Sequence, residues 1–141
     1  MSRSIPPQHI LVIDDDSSVQ NTLRLVLTFE RNTVELAING REALEKLDKH
    51  KFDIVFTDLI MPQMLGKDLA RCIRQKYPHQ VIVLMTAYPD FLDSDEKEVD
   101  LADITIIKPF SLGTITNALE RAYKINKHRK KSESPPPPTP P

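Results

Sequence analysis

The chain has 141 residues, 40% hydrophobic, 28% charged and 6% aromatic, the make-up of one globular domain large enough to bury a core. One cysteine, Cys72, excludes an internal disulfide framework, and nothing reaches the ~18 apolar residues of a membrane span or the apolar centre of a signal peptide, so a cytoplasmic protein is expected. The net charge of −1 hides an acidic body, with 14 Lys or Arg against 19 Asp or Glu over residues 1–123, which argues against direct nucleic-acid binding by the folded part.

After a polar, disordered N-terminus over residues 1–7, His9–Asp14 is a short apolar run that ends in acids. Val19, Leu23, Val26, Leu27 and Glu30 then stand at helical spacing, with Ser17 or Ser18 as the N-cap. Thr33–Ala37 reads as a second strand, and Ala43, Leu44 and Leu47 mark the inner face of a helix from about Gly40 to His50. Phe52–Thr57 is a third apolar run. Leu65, Leu69, Cys72 and Ile73 stripe a helix that ends before Pro78. Val81–Met85 is continuously apolar, as in a strand buried on both faces. Between Pro89 and Asp100 the pattern blurs, and a helix is expected there without a clear apolar stripe. Asp103–Ile107 reads as a fifth strand, and Ser111 caps a last helix with Ile115, Leu119, Ala122 and Tyr123 inward.

The folded domain is thus expected over residues 8–126, with 127–141 a basic and proline-rich disordered tail. Five basic residues and no acid lie between Lys124 and Lys131, a charge that suits a helix C-terminus. Six of the twelve prolines fall in the last seven residues, where polyproline II replaces helix or sheet.

Strand and helix in alternation mean an α/β fold with a parallel sheet. Short right-handed crossovers favour the flavodoxin-like, doubly wound five-stranded order 2-1-3-4-5. Ligands of such sheets bind at the carboxyl ends of the strands. Those ends carry Asp14-Asp15-Asp16, Asp58, Thr86 and Lys108-Pro109. Each alone has an ordinary explanation: a solvated cap cluster, a strand threonine, a surface lysine. Together on one rim they point to phosphoryl transfer. Converging carboxylates repel one another and need a cation, and an all-oxygen set without His or Cys suits Mg²⁺. A carboxylate can serve as nucleophile and form an acyl phosphate. A lysine and a threonine hydroxyl can hold the phosphoryl oxygens.

Over residues 8–126 the chain resembles the receiver domain of two-component response regulators. The resemblance rests on Ile10-Leu11-Val12-Ile13-Asp14-Asp15-Asp16, on Thr57-Asp58-Leu59-Ile60-Met61-Pro62 with Gly66, on Leu84-Met85-Thr86-Ala87 and on Ile107-Lys108-Pro109-Phe110. The spacings, 44 residues from Asp14 to Asp58, 28 to Thr86 and 22 to Lys108, also suit that family. The resemblance implies that Asp58 accepts phosphate from a histidine kinase or phosphotransfer protein. It implies a Mg²⁺ held by Asp15 and Asp58 directly, by Asp14 through water, and by the backbone carbonyl of Ile60. It further implies that Thr86 and Lys108 bind the phosphoryl group, that the Lys108–Pro109 bond is cis, and that Ile60 and Tyr88 set the phosphate's lifetime. A monomer or a phosphorylation-dependent dimer is expected, acting through an output partner that the sequence does not name.

Three positions depart from the family pattern. Thr105 stands where an aromatic switch residue is usual, Leu65 where an acid precedes the glycine, and Leu101-Ala102-Asp103 where a glycine precedes the fifth strand. Thr105 also leaves room for an interaction module of the same fold that phosphate does not switch. A phosphatase of the haloacid-dehalogenase type can be aligned on Asp14-Asp15-Asp16-Ser17-Ser18, but it gives Asp58 no role and lacks a second acidic pair after Lys108.

Overall fold

A computed structural model describes residues 5–58, 66–87 and 102–132. Its elements run β1 (His9–Ile13), α1 (Ser17–Phe29), β2 (Thr33–Ala37), α2 (Gly40–Lys49), β3 (Ile54–Asp58), α3 (Gly66–Lys76), β4 (Val81–Thr86), β5 (Ile104–Ile107) and α4 (Leu112–Ser132). All the strand pairings are parallel, and the sheet order is β2-β1-β3-β4-β5, as the alternation of elements led us to expect. The fold is therefore flavodoxin-like. The helix expected between Pro89 and Asp100 lies outside the described residues.

The inner strands are largely apolar because both faces of the sheet are covered there, while the edge strand β2 carries Thr33 and Glu35 and is mostly half-buried. Ile10 and Val12 of β1 point to one face, with Ile54 and Phe56 of β3 and Val83 and Met85 of β4, against Leu23 and Leu27 of α1 and Ile115, Leu119 and Ala122 of α4. Leu11, Ile13, Val55 and Ile82 point to the other, against Ala43 and Leu47 of α2 and Leu69 and Ile73 of α3. The period of two along each strand decides which helix pair each side chain meets.

Several boundaries differ from the sequence expectation for local reasons. The N-cap of α1 is Asp16 rather than Ser17 or Ser18: its extended backbone lets its carboxylate accept from the Ser18 N–H at 2.9 Å and the Ser18 hydroxyl at 2.7 Å. Glu30 is the C-cap of that helix rather than part of its inner face. Ser111 does cap the last helix, accepting from the Thr114 N–H at 3.1 Å.

The larger difference is at the end of α4, which continues to Ser132 through the stretch expected to be disordered from residue 127. Two carboxylates of the body hold it. Asp103, just before β5, takes both terminal nitrogens of Arg129, while Arg74 of α3 and the Ile82 N–H donate to the same carboxylate at 3.1 and 2.9 Å. Asp53, just before β3, lies 3.3 Å from Lys130 and 3.5 Å from the Asn126 amide. The last helix thus extends six residues past 126. Residues 133–141 lie outside the described set.

Candidate functional site

The carboxyl ends of β1, β3, β4 and β5 lie on one rim because the strands are parallel and in register. Ile13 of β1 is opposite Thr57 of β3, Asp58 is opposite Met85 of β4, and Thr86 is opposite Ile107 of β5. The Lys108 N–H adds one more rung, donating to the Thr86 carbonyl at 2.7 Å. Each strand thus delivers its functional side chain at the level where its ladder ends.

Asp14, Asp15 and Asp58 come together there, each offering a carboxylate oxygen within 4.8 Å of the others. Asp14 is fully buried, Asp58 nearly so, and Asp15 exposed. The Lys108 ammonium donates to Asp14 Oδ2 at 2.8 Å and lies 3.3 Å from Asp58 Oδ2. Burial alone would push its pKa down. The hydrogen bond and charge of Asp14, with those of Asp58, outweigh that and hold it above the ordinary lysine value. Thr86 is buried on the neighbouring strand end. Asp14, Asp15, Asp58 and Lys108 are therefore brought together, with Thr86 at the adjoining strand end, while Ile60, Met61, Pro62, Leu65 and Tyr88 lie outside the described residues.

One lysine offsets only part of the charge of three carboxylates. The remaining donor set is hard oxygen throughout, with one exposed member facing solvent. That chemistry fits a small divalent cation such as Mg²⁺. Asp14 Oδ2 is taken by Lys108 and Oδ1 accepts from the Asp16 N–H at 2.9 Å, whereas the Asp15 side chain is exposed to solvent.

Some features were not anticipated. The N-cap carboxylate of Asp16 is held below its ordinary pKa, first by the Ser18 side-chain hydrogen bond. Gln20, buried on the inner face of α1, donates to the Ala37 carbonyl at 2.7 Å. Its signal was present: Gln20, Leu23 and Leu27 share one helical stripe, so a polar residue sits where an apolar one is usual. Thr105 lies half-buried in β5 opposite Leu84, and the Lys108–Pro109 bond is cis as expected.

Comparison with known proteins agrees with this arrangement. The chain is 37% identical over 107 residues to the response regulator MprA of Mycolicibacterium vanbaalenii, an alignment covering 75% of this chain and 46% of that protein. It is 32% identical over 103 residues to the response regulator ArlR of Staphylococcus aureus, covering 73% and 47%. The chain spans between 41% and 48% of the length of the first curated relatives that it matches. Among solved structures it is similar to the response regulator protein TrrA of Thermotoga maritima, crystallised with Mg²⁺–BeF, at a TM-score of 0.76 and 31% identity, covering 82% and 98% of the two chains. A CheY-like receiver domain protein of Methanospirillum hungatei shares the fold at a TM-score of 0.81 and 23% identity, covering 88% and 99%. The model of the response regulator receiver domain matches residues 10–120, and with the fold and the rim of acids it places this chain in the family of two-component response-regulator receiver domains.

Proposed function

We propose that Asp58 is the phosphoacceptor, taking a phosphoryl group from a histidine kinase or phosphotransfer protein. The observation that carries this reading is the convergence of Asp14, Asp15 and Asp58 within 4.8 Å, with Lys108 in contact with two of them. A carboxylate oxygen of Asp58 attacks the phosphorus of a phosphoimidazole. The O–P bond forms as the N–P bond breaks, and the electron pair stays on the imidazole nitrogen. Asp15 and Asp58 would hold the cation directly, with Asp14 through water and the backbone carbonyl of Ile60. When bound, Mg²⁺ supplies positive charge against that building on the phosphoryl oxygens. Lys108 neutralises another oxygen and the Thr86 hydroxyl donates to a third.

The product is a protein-borne acyl phosphate rather than a released compound, so the chain acts as a switch whose output runs through a protein partner. The cell compartment in this reading is the cytoplasm, and no described helix is long and apolar enough to cross a membrane.

Incubation with Mg²⁺ and acetyl phosphate tests the assignment by intact-protein mass spectrometry. The wild-type chain gains one phosphate and Asp58→Asn gains none, because an amide is not a usable nucleophile. Label persisting in Asp58→Asn would overturn Asp58 as the acceptor, and turnover of the donor through Asp14 would favour a phosphatase.

A further inference from the structure

Four hydrogen bonds close a ring around the acidic loop. The Asp14 N–H donates to the Ala37 carbonyl at 3.1 Å, the last rung between β1 and β2. The Asp16 N–H donates to Asp14 Oδ1 at 2.9 Å. The Gln20 N–H donates to the Asp16 carbonyl at 3.1 Å, as a helix requires. The Gln20 side chain then returns to the starting point, donating from Nε2 to the same Ala37 carbonyl at 2.7 Å. Remove that last bond and the ring opens: the first turn of α1 is no longer tied to the end of β2.

Asp15 sits inside this ring, between two residues whose backbones are both fixed by it. Its side chain is exposed, so no packing holds it. Its position is set by the backbone on either side. Gln20 is 5% exposed and stands on a stripe otherwise made of Leu23 and Leu27. A buried amide costs desolvation where leucine would be favourable, and the side-chain hydrogen bond that satisfies it goes to the Ala37 carbonyl at the end of β2, the same oxygen that takes the Asp14 N–H.

We infer that Gln20 is a positioning residue for the divalent-cation site: by closing the ring on Ala37 it holds Asp14 and Asp15 at the separation from Asp58 that a shared cation needs. The inference rests on the cation site proposed above. It deepens that site by one residue that touches neither metal nor phosphate. Outer-shell partners that orient metal ligands act in this way.

The test is a calorimetric titration of the full chain with Mg²⁺, beside the Mg²⁺ dependence of labelling by acetyl phosphate. Gln20→Met keeps the volume and loses the donor. Gln20→Ala loses the donor in a residue with high helix propensity, and serves if the Met variant does not fold. In the folded variant the Mg²⁺ Kd is expected to rise about three- to tenfold, at the low end of outer-shell effects. The labelling rate at saturating Mg²⁺ should stay near that of the wild type. A purely structural role would lower the melting temperature and leave the Mg²⁺ midpoint where it was, and that result overturns the inference. A wild-type chain that binds no Mg²⁺ would instead overturn the cation site itself.

Discussion

Lys108 reaches across the rim to Asp14, Nζ to Oδ2 at 2.8 Å, while standing 3.3 Å from Asp58. The lysine is shared between a buried carboxylate that shapes the site and the one proposed to react. Its removal therefore tests two things at once. Lys108→Met leaves Asp14 buried without its cation, which is expected to cost about 2–4 kcal/mol in urea unfolding, reduced from a fully buried pair because Lys108 keeps some exposure. The variant should still be labelled at Asp58, more slowly.

The same pair makes a pH prediction. Lys108 is held above the ordinary lysine value, since the attraction of Asp14 and Asp58 exceeds the burial penalty. Its stabilising contribution is then complete below the unfolded value of about 10.4 and is lost as pH rises through the higher folded one. The stability difference between wild type and Lys108→Met should narrow steadily above about pH 10. A difference that stayed constant into that range would mean the ammonium gains nothing from its partners.

Mg²⁺ should stabilise the fold on the order of 1–3 kcal/mol at saturation, because it relieves repulsion among three carboxylates. Asp15→Asn should remove most of that gain and, without the ion, should melt no lower than wild type, having shed one like charge. Thermal melts with chelator and with millimolar Mg²⁺ separate the two effects. A wild-type melting temperature indifferent to Mg²⁺ would argue against the shared site.

At the far end of α1, Arg31 has φ 71, the left-handed conformation that favours glycine. Its N–H donates to the Thr28 carbonyl at 2.9 Å and the Asn32 N–H to the Leu27 carbonyl at 3.2 Å, a Schellman closure of the helix. Arg31→Gly relieves the Cβ strain but frees the unfolded chain, so the net gain should be up to about 1 kcal/mol. Differential scanning calorimetry should show a melting point raised by a few degrees; a lowered one would mean the arginine side chain supplies more than it strains.

The two cations that hold the end of α4 should differ sharply. Arg129 meets a carboxylate that also takes Arg74 and the Ile82 N–H and is 11% exposed, whereas the Lys130 side chain is 66% exposed. Arg129→Met is expected to cost about 1–3 kcal/mol and Lys130→Met under about 0.5. Equal losses in urea unfolding would show that overall charge, rather than the buried carboxylate, holds the helix.

What was legible in the sequence had local causes. Apolar runs marked β1, β3 and β4 because the middle of a sheet covered on both faces tolerates little else. The strand ends named Asp14, Asp15, Asp58, Thr86 and Lys108 because a parallel sheet collects those ends on one rim. Three things were not legible. Asp16, Ser17 and Ser18 are all competent caps, and only the path of the chain leaving β1 selects the first. Gln20 stood out as a polar residue on an apolar stripe, but its partner was hidden, being a backbone carbonyl on β2. The end of α4 looked like solvated charge because the acids that bind Arg129 and Lys130 lie 26 and 77 residues earlier.

Asp53 and Asp103 precede their strands, so the anchors of α4 sit at the pole of the domain opposite Asp14, Asp15 and Asp58. This fixes where the domain may be cut or joined. A fusion or label attached after residue 132 departs from that opposite pole and leaves the acidic rim clear for a phosphodonor. A truncation at 126 removes Arg129 and Lys130, strips Asp103 and Asp53 of those cations, and leaves Asp103, at the start of the strand that carries Lys108 at its other end, with Arg74 and the Ile82 N–H alone among these donors. The length at which this chain is expressed is therefore also a choice about how firmly the strand leading to Lys108, the lysine proposed to bind the phosphoryl group, is held.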